Sequence, residues 1–402
     1  MTTTTNNEQK KLNVPNLRFK EWEKKRLEEC VEFLDGLRKP IKSEDRKSEQ
    51  GLYPYYGASG IIDYIDGYIF DGEYILLSED GANIIDRNYR VAFIAKGKIW
   101  VNNHAHVLQP YDGFDINFLS ETLERLNYAV YNTGTTMPKL NQEVCRNINL
   151  KIPTTIEQNK IGNLLSLLNE RIATQNKIIE DLKKLKCAII EDLYCSPKQR
   201  EPKRRFLEYS LPLSSYRMKD FCERITGKNK DNKCSLVLTI AAQYGLVDQK
   251  TFFNKSVASE NLTGYYILHK GDFAYNRSYS TGYAWGAVKR LDKYEDGVLS
   301  TLYICFKINE TIVDSDYLSY YFESTKWHKG VSDISGEGAR NHGLLNISVT
   351  DYFDTEHCFP HIEEQKRIAS MLNAITVKEQ KAIGLEKLYS KQKQYLLRQM
   401  FI

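Results

Sequence analysis

Two stretches of the chain carry apolar residues at alternating spacings of three and four. In the first, from about residue 157 to 193, the stripe runs Leu165, Leu168, Ile172, Ile179, Leu182, Ile189 and Leu193, with Gln175 and Lys186 as polar members. This is the pattern of a coiled-coil seam. No proline interrupts it, and Gly162 is its one glycine. The second stretch, after residue 360, is less regular. Its stripe runs Leu372, Ile375, Leu385, Leu388 or Tyr389, and Leu396, with Gly384 in the middle. The pattern predicts two long helices whose stripes each need a partner. Pairing with one another, as an antiparallel coiled coil, satisfies both.

The segments ahead of each helix read differently. Strand-like runs bounded by Gly, Asp or Asn stand at 61–65, 74–77, 91–94 and 99–101, followed by a helical stretch at 114–131. The same order recurs later, with strand-like runs at 236–241, 265–268, 284–288 and 302–306 and a helical stretch at 315–329. Irregular glycine-containing segments follow at 132–140 and 335–345.

This recurrence is an internal repeat. Residues 152–194 align without a gap on 359–401, with identities at Pro153/Pro360, Glu157/Glu364, Gln158/Gln365, Ile161/Ile368, Leu165/Leu372, Lys184/Lys391 and Lys186/Lys393. Residues 26–36 resemble 217–227, both charged, amphipathic and ending in glycine. The fold class expected is therefore α+β: two tandem globular domains joined by two long helices, with pseudo-twofold internal symmetry. The boundaries read as a first domain at 1–151, with a short disordered tail expected at 1–13; a helical region and linker at 152–205; a second domain at 206–358; and a C-terminal helical region at 359–402. Two prolines and five basic residues mark 196–205 as the linker.

The chemistry of common enzymes is missing from the text. There is no Pro-Pro dipeptide to build the Asn/Asp-Pro-Pro-aromatic loop of base methyltransferases, and neither Gly97-Lys98 nor Gly227-Lys228 completes a GxxxxGK(S/T) phosphate loop. No GxSxG, HExxH or GxGxxG occurs. His104 and His106 would share one face of a strand, but neighbouring ligand types are absent, so no metal site is expected. The eight cysteines are scattered without a CxxC pair and read as reduced thiols. A composition 42% hydrophobic and 27% charged is that of a folded chain, and no apolar run approaches the ~20 residues of a membrane span.

With a duplicated architecture, PxxxEQxxI-type helix starts at 153–161 and 360–368, and the phrases Asn103-His104-Ala105-His106-Val107-Leu108, Lys270-Gly271-Asp272-Phe273 and Asn276-Arg277-Ser278, the sequence resembles the specificity subunit of a type I restriction–modification system. The resemblance spans nearly the whole chain. It implies two target recognition domains that each read one half of a bipartite, asymmetric double-stranded DNA target. It also implies that the coiled coil sets the gap between the half-sites and docks two modification methyltransferase subunits. Restriction endonuclease/translocase subunits would join them. S-adenosylmethionine, ATP and Mg would sit on those partners, with no catalytic site or cofactor in this chain. The implied setting is host defence in a bacterial cytoplasm, at the nucleoid through DNA, with no membrane. The competing class is a coiled-coil protein-interaction scaffold without sequence-specific DNA binding; it leaves two differing domains with polar loops unexplained.

Base edges are read by Arg or Lys at guanine and Asn or Gln at adenine. Candidates in the first domain are Asn83, Arg87, Asn102, Asn103, His104, His106, Thr135, Thr136 and Lys139. In the second they are Tyr244, Asn276, Arg277, Ser278, Tyr279, Tyr283, Arg340, Asn341 and His342, and the clusters 276–279 and 340–342 stand out. The 27 tyrosines are otherwise expected in cores and sheets. The net charge of +4 divides unevenly: each globular region is −2, while 152–205 and 359–402 are each +4. Two slightly acidic recognition domains should therefore bind DNA poorly alone.

Overall fold

Alternating and fully apolar strands between residues 31 and 110 assemble into a single sheet in the computed structural model, which describes residues 22–46, 51–199, 201–254, 261–280, 282–336, 343 and 345–401. By its contacts the chain divides into two units, residues 1–176 with 384–402, and residues 177–383. The polar tail at 1–13 and the candidates Arg340, Asn341 and His342 lie outside the described residues.

In the first unit, β1 (Glu23–Arg26) is followed by β2 (Val31–Phe33), β3 (Tyr53–Gly57), β4 (Gly60–Ile65), β5 (Phe70–Ser78), β6 (Ala92–Val101) and β7 (Ala105–Pro110). The last six form a sheet in the order β2-β7-β5-β6-β3-β4. Its pairs are antiparallel apart from β3 with β6. Along β5, Ile75 and Leu77 enter one apolar cluster and Tyr74 and Leu76 another. Both faces of the strand are thus covered, which is why its sequence is an unbroken apolar run. The two strands expected at 91–94 and 99–101 are one strand. Lys96-Gly97-Lys98 looks like a turn, yet Gly97 stays paired with Gly72 of β5.

Helices α1 (Asn83–Asp86), α2 (Ile116–Glu124) and α3 (Gln142–Arg146) precede β8 (Asn149–Ile152), which pairs with β1. The helix expected at 114–131 breaks after α2, because the Asn127 side chain accepts the Ala129 N–H at 3.1 Å and caps a separate turn over Tyr128–Tyr131.

The long helix α4 (Thr155–Leu193) starts in this unit, and its shared Gln fixes how it starts. Buried Gln158 donates to the Pro153 carbonyl at 3.0 Å and accepts the Asp115 N–H at 3.1 Å. Asp115 in turn caps α2 through the Phe118 N–H at 2.7 Å. The helix backbone approaches that cap so closely that a Cβ on Gly162 would overlap the Asp115 carboxylate and lie 3.0 Å from Phe118 N.

The second unit repeats this local design. Strands β9 (Ser214–Arg217) and β10 (Cys222–Arg224) flank the short α5 (Met218–Phe221). Next come β11 (Leu238–Ala241), β12 (Gly245–Asp248), α6 (Gln249–Phe253), β13 (Tyr266–His269), β14 (Phe273–Asn276), β15 (Ala287–Arg290), β16 (Asp296–Leu299) and β17 (Ile304–Ile308). The strands expected in this region form with shifted ends. They make a four-stranded sheet, β10-β17-β14-β15, and two-stranded pairs β11-β12 and β13-β16. Helices α7 (Ser315–Glu323), α8 (His328–Ile334) and α9 (Val349–Phe353) and strand β18 (Glu356–Phe359), paired with β9, lead into α10 (Ile362–Met400). The single helix expected at 315–329 is two, since Trp327 is buried between them and its indole N–H takes the Phe322 carbonyl at 3.1 Å.

At the start of α10, Gln365 repeats the role of Gln158. It donates to the Pro360 and Ile312 carbonyls and accepts the Asp314 N–H at 2.9 Å, and Asp314 caps α7. The stretch 196–205, read as a linker, is fastened to this unit. Arg205 grips Glu364 at 2.6–3.1 Å, Lys203 pairs with Glu191 at 3.0 Å, and Arg204 N–H donates to the Asp192 carbonyl at 3.0 Å.

The seam expected on α4 is buried or half-buried at every position named, from Leu165 to Leu193. On α10 the expectation needs correction. Leu372, Ile375 and Leu396 turn inward, but Leu385 and Leu388 are 42% and 62% exposed. Tyr389, the expected alternative to Leu388, turns inward, and with Glu379, Ala382, Glu386, Lys393, Leu396 and Met400 it makes an unbroken alternation of three and four masked by polar residues. Within the first unit, Lys393 donates to Asn169 at 2.7 Å and pairs with Glu121 at 2.9 Å, and the Arg171 guanidinium lies over the Tyr389 ring. Numbers fall on one helix as they rise on the other, so these segments run antiparallel. Within the second unit, Lys186 reaches Glu379 at 2.8 Å. The repeated Lys186 and Lys393 are therefore seam cations held by carboxylates.

Each long helix ends in an aromatic anchor. Tyr194 stacks on Tyr317 at 4.5 Å and donates to its carbonyl, and Phe401 stacks on Phe118 at 5.4 Å. Tyr55, Tyr128, Tyr194, Tyr275, Tyr317, Tyr321 and Tyr352 are fully buried, as core tyrosines.

Gly162→Ala should lower the stability of the first unit by about 1–3 kcal/mol, as overpacking against a capped helix outweighs the ~1 kcal/mol gained in helix propensity. The reverse change at the repeat-equivalent position, Ala369→Gly, should cost the propensity term of about 1 kcal/mol and about 1 kcal/mol more for its buried methyl. Thermal unfolding of both variants checks this, and a higher melting temperature for Gly162→Ala would contradict the close-approach account.

Candidate nucleic-acid interface

Three polar segments of the first unit meet at one end of its sheet. They are the loop after β5, the β6–β7 turn and the loop 132–140. Backbone bonds stitch them together: Glu79 N–H to the His104 carbonyl at 2.8 Å, Leu140 N–H to the Glu79 carbonyl at 2.7 Å, and Gly81 N–H to the Pro138 carbonyl at 3.0 Å. The loop 132–140 is further closed by the Asn132 carboxamide, which accepts from the Gly134 and Lys139 N–H groups at 2.9 Å.

This arrangement gathers Asn103, His104, Thr135, Thr136 and Lys139, all exposed, on adjoining loops. His104 sits in the β6–β7 turn rather than on a strand and pairs with Asp80 at 2.9 Å. It therefore does not share a strand face with His106. Asn102 is buried and shapes the turn by accepting the His104 N–H. Asn83 and Arg87 have local partners instead. The Asn83 amide brackets the Tyr89 backbone, and Arg87 bonds the Glu124 carboxylate and carbonyl.

Beneath these loops lies an ionic network that single residues of the sequence did not announce. Asp35, Glu79 and His106 bring their ligand-type atoms within 4.8 Å of one another. The set does not suit a metal. Arg38 already pairs with Glu79 at 2.7 Å and Asp35 at 3.5 Å, and Lys139 lies 3.5 Å from Glu79. Both His106 nitrogens face acceptors, Nδ1 at 2.6 Å from Asp35 and Nε2 at 2.8 Å from the Leu140 carbonyl. A ring that donates twice is an imidazolium with no lone pair for a cation. Burial is the largest single influence and opposes its charge, but the hydrogen bonds and charge interactions with Asp35 and Cys145 together outweigh it and push the His106 pKa up to about 10. For Asp35 burial likewise opposes ionisation, and the bond to His106 holds its carboxyl below the usual range.

In the second unit, Tyr244, Asn276, Ser278 and Tyr283 line a single cavity of about 370 Å³. Four candidates drawn from separate parts of the sequence thus converge. Gln243, Phe252 and Ser280 also line it and were not anticipated. The one sequence signal for them is the turn Ala242-Gln243-Tyr244-Gly245 between two apolar runs, the form of a hairpin tip. Tyr279 is exposed, with its N–H on the Gly343 carbonyl at 2.6 Å. Arg277 is turned into the fold. It donates to the Ile347 and Leu302 carbonyls at 2.8 and 3.1 Å, and its Nε is buried without a partner among the described residues.

The His106 network makes stability depend on pH. Its folded pKa of about 10 exceeds the unfolded value of 6.5, so its contribution is complete below pH 6.5 and is lost as pH rises towards 10. Denaturant unfolding of the first unit in the full chain should show this decline in wild type and a flatter profile in His106→Gln. Identical slopes would contradict the imidazolium assignment.

Comparison with known proteins agrees with these features. Residues 19–184 match the family model described as the type I restriction modification DNA specificity domain. The putative type I restriction enzyme specificity subunit S.HindORF215P of Haemophilus influenzae is 25% identical over 353 residues, covering 88% of this chain and 86% of that protein. The type I restriction enzyme MjaVIII specificity subunit of Methanocaldococcus jannaschii is 25% identical over 403 residues, covering 91% and 90%. Among solved structures, the type I restriction–modification S subunit from M. genitalium superposes with a TM-score of 0.64 over 97% of this chain and 99% of its own, at 14% identity, a likeness of fold. The chain thus resembles type I restriction enzyme specificity subunits along about nine-tenths of its length, and its residues 19–184 match the type I restriction modification DNA specificity domain.

Proposed function

We propose that this chain gives a type I restriction–modification complex its DNA sequence specificity. Each unit reads one half of a bipartite, asymmetric duplex target, and the coiled coil sets the gap between the halves. One observation carries the reading: the same Gln–Asp hook and helix cap recur in both units, while the polar surfaces built above them differ completely. A constant frame with variable loops suits two different half-sites held in fixed relation.

The chain's own part is binding and orientation. In the first unit the exposed amide and imidazole of Asn103 and His104 face base edges, and Lys139 and the Thr135–Thr136 hydroxyls suit phosphates. The coiled coil docks two modification methyltransferase subunits, which carry S-adenosylmethionine, and restriction translocase subunits supply ATP- and Mg-dependent steps. The complex works in the cytoplasm. Among the described residues no helix is long and apolar enough to cross a membrane.

Methylation-site sequencing of cells carrying this chain with its modification subunit tests the reading. Asn103→Ala with His104→Ala should relax one half-site and leave the other intact; relaxation of both, or of neither, would count against the assignment. Adding one heptad to α4 between Leu168 and Ile189, with a matching heptad in α10, lengthens the bar by roughly 10 Å. At ~3.4 Å per base pair this should widen the methylated gap by about three base pairs. An unchanged gap would sink the ruler.

A further inference from the structure

We infer that the cavity of the second unit reads the major-groove edge of one A·T base pair, with the thymine methyl against its apolar floor and adenine facing the Gln243 and Asn276 amides. The inference rests on the function proposed above and extends it to a base-pair identity.

The walls are Ile240, Ala241, Ala242, Tyr244, Phe252, Tyr283 and Ala287, and the polar rim is Gln243, Asn276, Ser278 and Ser280. Among the described residues no charged side chain lines it. A phosphate is held by cations. Guanine is read by Arg or Lys, and cytosine by a carboxylate. Neutral carboxamides pair instead with adenine N6 and N7, and thymine alone presents a methyl group in the major groove. Of the four base pairs, the described lining suits that one best.

The site is also held in place before anything binds. The β11–β12 tip is closed by the Tyr244 N–H on the Ala241 carbonyl at 2.9 Å, and Lys293 donates to the Tyr244 carbonyl at 2.9 Å. Helix α6, which carries Phe252, is capped by Asp248 through the Lys250 N–H at 3.0 Å. Asn276 Oδ1 accepts the Ser278 N–H at 3.0 Å, which orients the carboxamide. Its Nδ2, and the Gln243 amide, carry no hydrogen bond among the described residues. Gly286, at φ +78°, lets the opposite backbone close against Asn276, where a Cβ would overlap the Asn276 carbonyl. Tyr244 and Phe252 nevertheless stand 62% and 46% exposed at the mouth. A fixed concavity that keeps two aromatic rings in water is shaped for a ligand with an apolar edge.

The test uses the complete complex with its modification subunit. The wild-type methylated motif first gives the second half-site. Duplexes then carry deoxyuridine for each thymine of that half-site in turn, and 7-deaza-adenine for each adenine. One deoxyuridine should weaken wild-type binding roughly threefold to tenfold, the scale of a buried methyl contact. Phe252→Ala should bind the thymine duplex at that weakened level and show no further loss with deoxyuridine. Asn276→Ala and Gln243→Ala should do the same for one 7-deaza-adenine. Equal binding of all substituted duplexes, a half-site without an A·T pair, or discrimination that survives Phe252→Ala and Asn276→Ala would overturn the inference. So would a Phe252→Ala complex that assembles poorly but discriminates normally, which would assign the cavity to a protein partner. In all these cases a wild-type complex that still prefers its motif leaves the proposed function standing; loss of any sequence preference would overturn both.

Discussion

The fold depends on one buried side chain used twice. Gln158 and Gln365 each sit one residue past a glutamate at a helix start, and each takes the backbone N–H of the aspartate that caps the domain helix. A glutamine can donate and accept at once, so it ties the Pro153 or Pro360 carbonyl to the Asp115 or Asp314 N–H inside the protein. Leaving either group unpaired when buried would cost about 1–3 kcal/mol, so the hook fixes where each long helix leaves its domain. The neighbouring glutamates are matched differently in the two copies, to the Trp22 indole N–H in one and the Arg205 guanidinium in the other. The hook is constant while its surroundings vary.

The seam follows a related logic. Its apolar positions supply burial, and its charged positions supply register. Burial opposes ionisation of Glu121, but Arg90 and Lys393 outweigh it and hold the carboxylate below its usual range. A lysine inside a helix pair is weak as a source of stability, because desolvation offsets much of the attraction. It is a stronger source of alignment, since a one-turn slip would take Lys393 away from both Glu121 and Asn169. The ionic network under the first unit's loops works likewise. Arg38, Asp35, Glu79 and His106 hold three loops that keep Asn103, Thr135 and Thr136 exposed beside the paired His104 and Lys139.

Much of the framework was legible in the sequence. The repeat, the helix starts and the α4 stripe could be read from spacing alone, because a period of three and four residues admits few folds. The α10 seam could not. Glu379, Glu386 and Lys393 occupy inward positions, and a reading that follows apolar residues is drawn to Leu385 and Leu388 on the outer face. Candidate site residues fared unevenly for the same reason. An asparagine or arginine in a loop can face solvent or complete a turn, and only its neighbours decide which. Asn102, Asn83, Arg87 and Arg277 serve the fold, whereas Asn103, His104 and Lys139 remain on the surface.

The sequence by itself determined periodicity, duplication and the absence of familiar catalytic patterns, since each is a property of order along the chain. Tertiary structure decided which polar groups were already satisfied and which distant ones converge. Tyr244, Asn276 and Tyr283 line one cavity because a hairpin tip and the loop after β14 close on each other, a juxtaposition that no spacing encodes. Hydrogen-bonding capacity is finite. A donor spent inside the fold cannot be spent on DNA, and that account can be drawn up only when all the partners are in place.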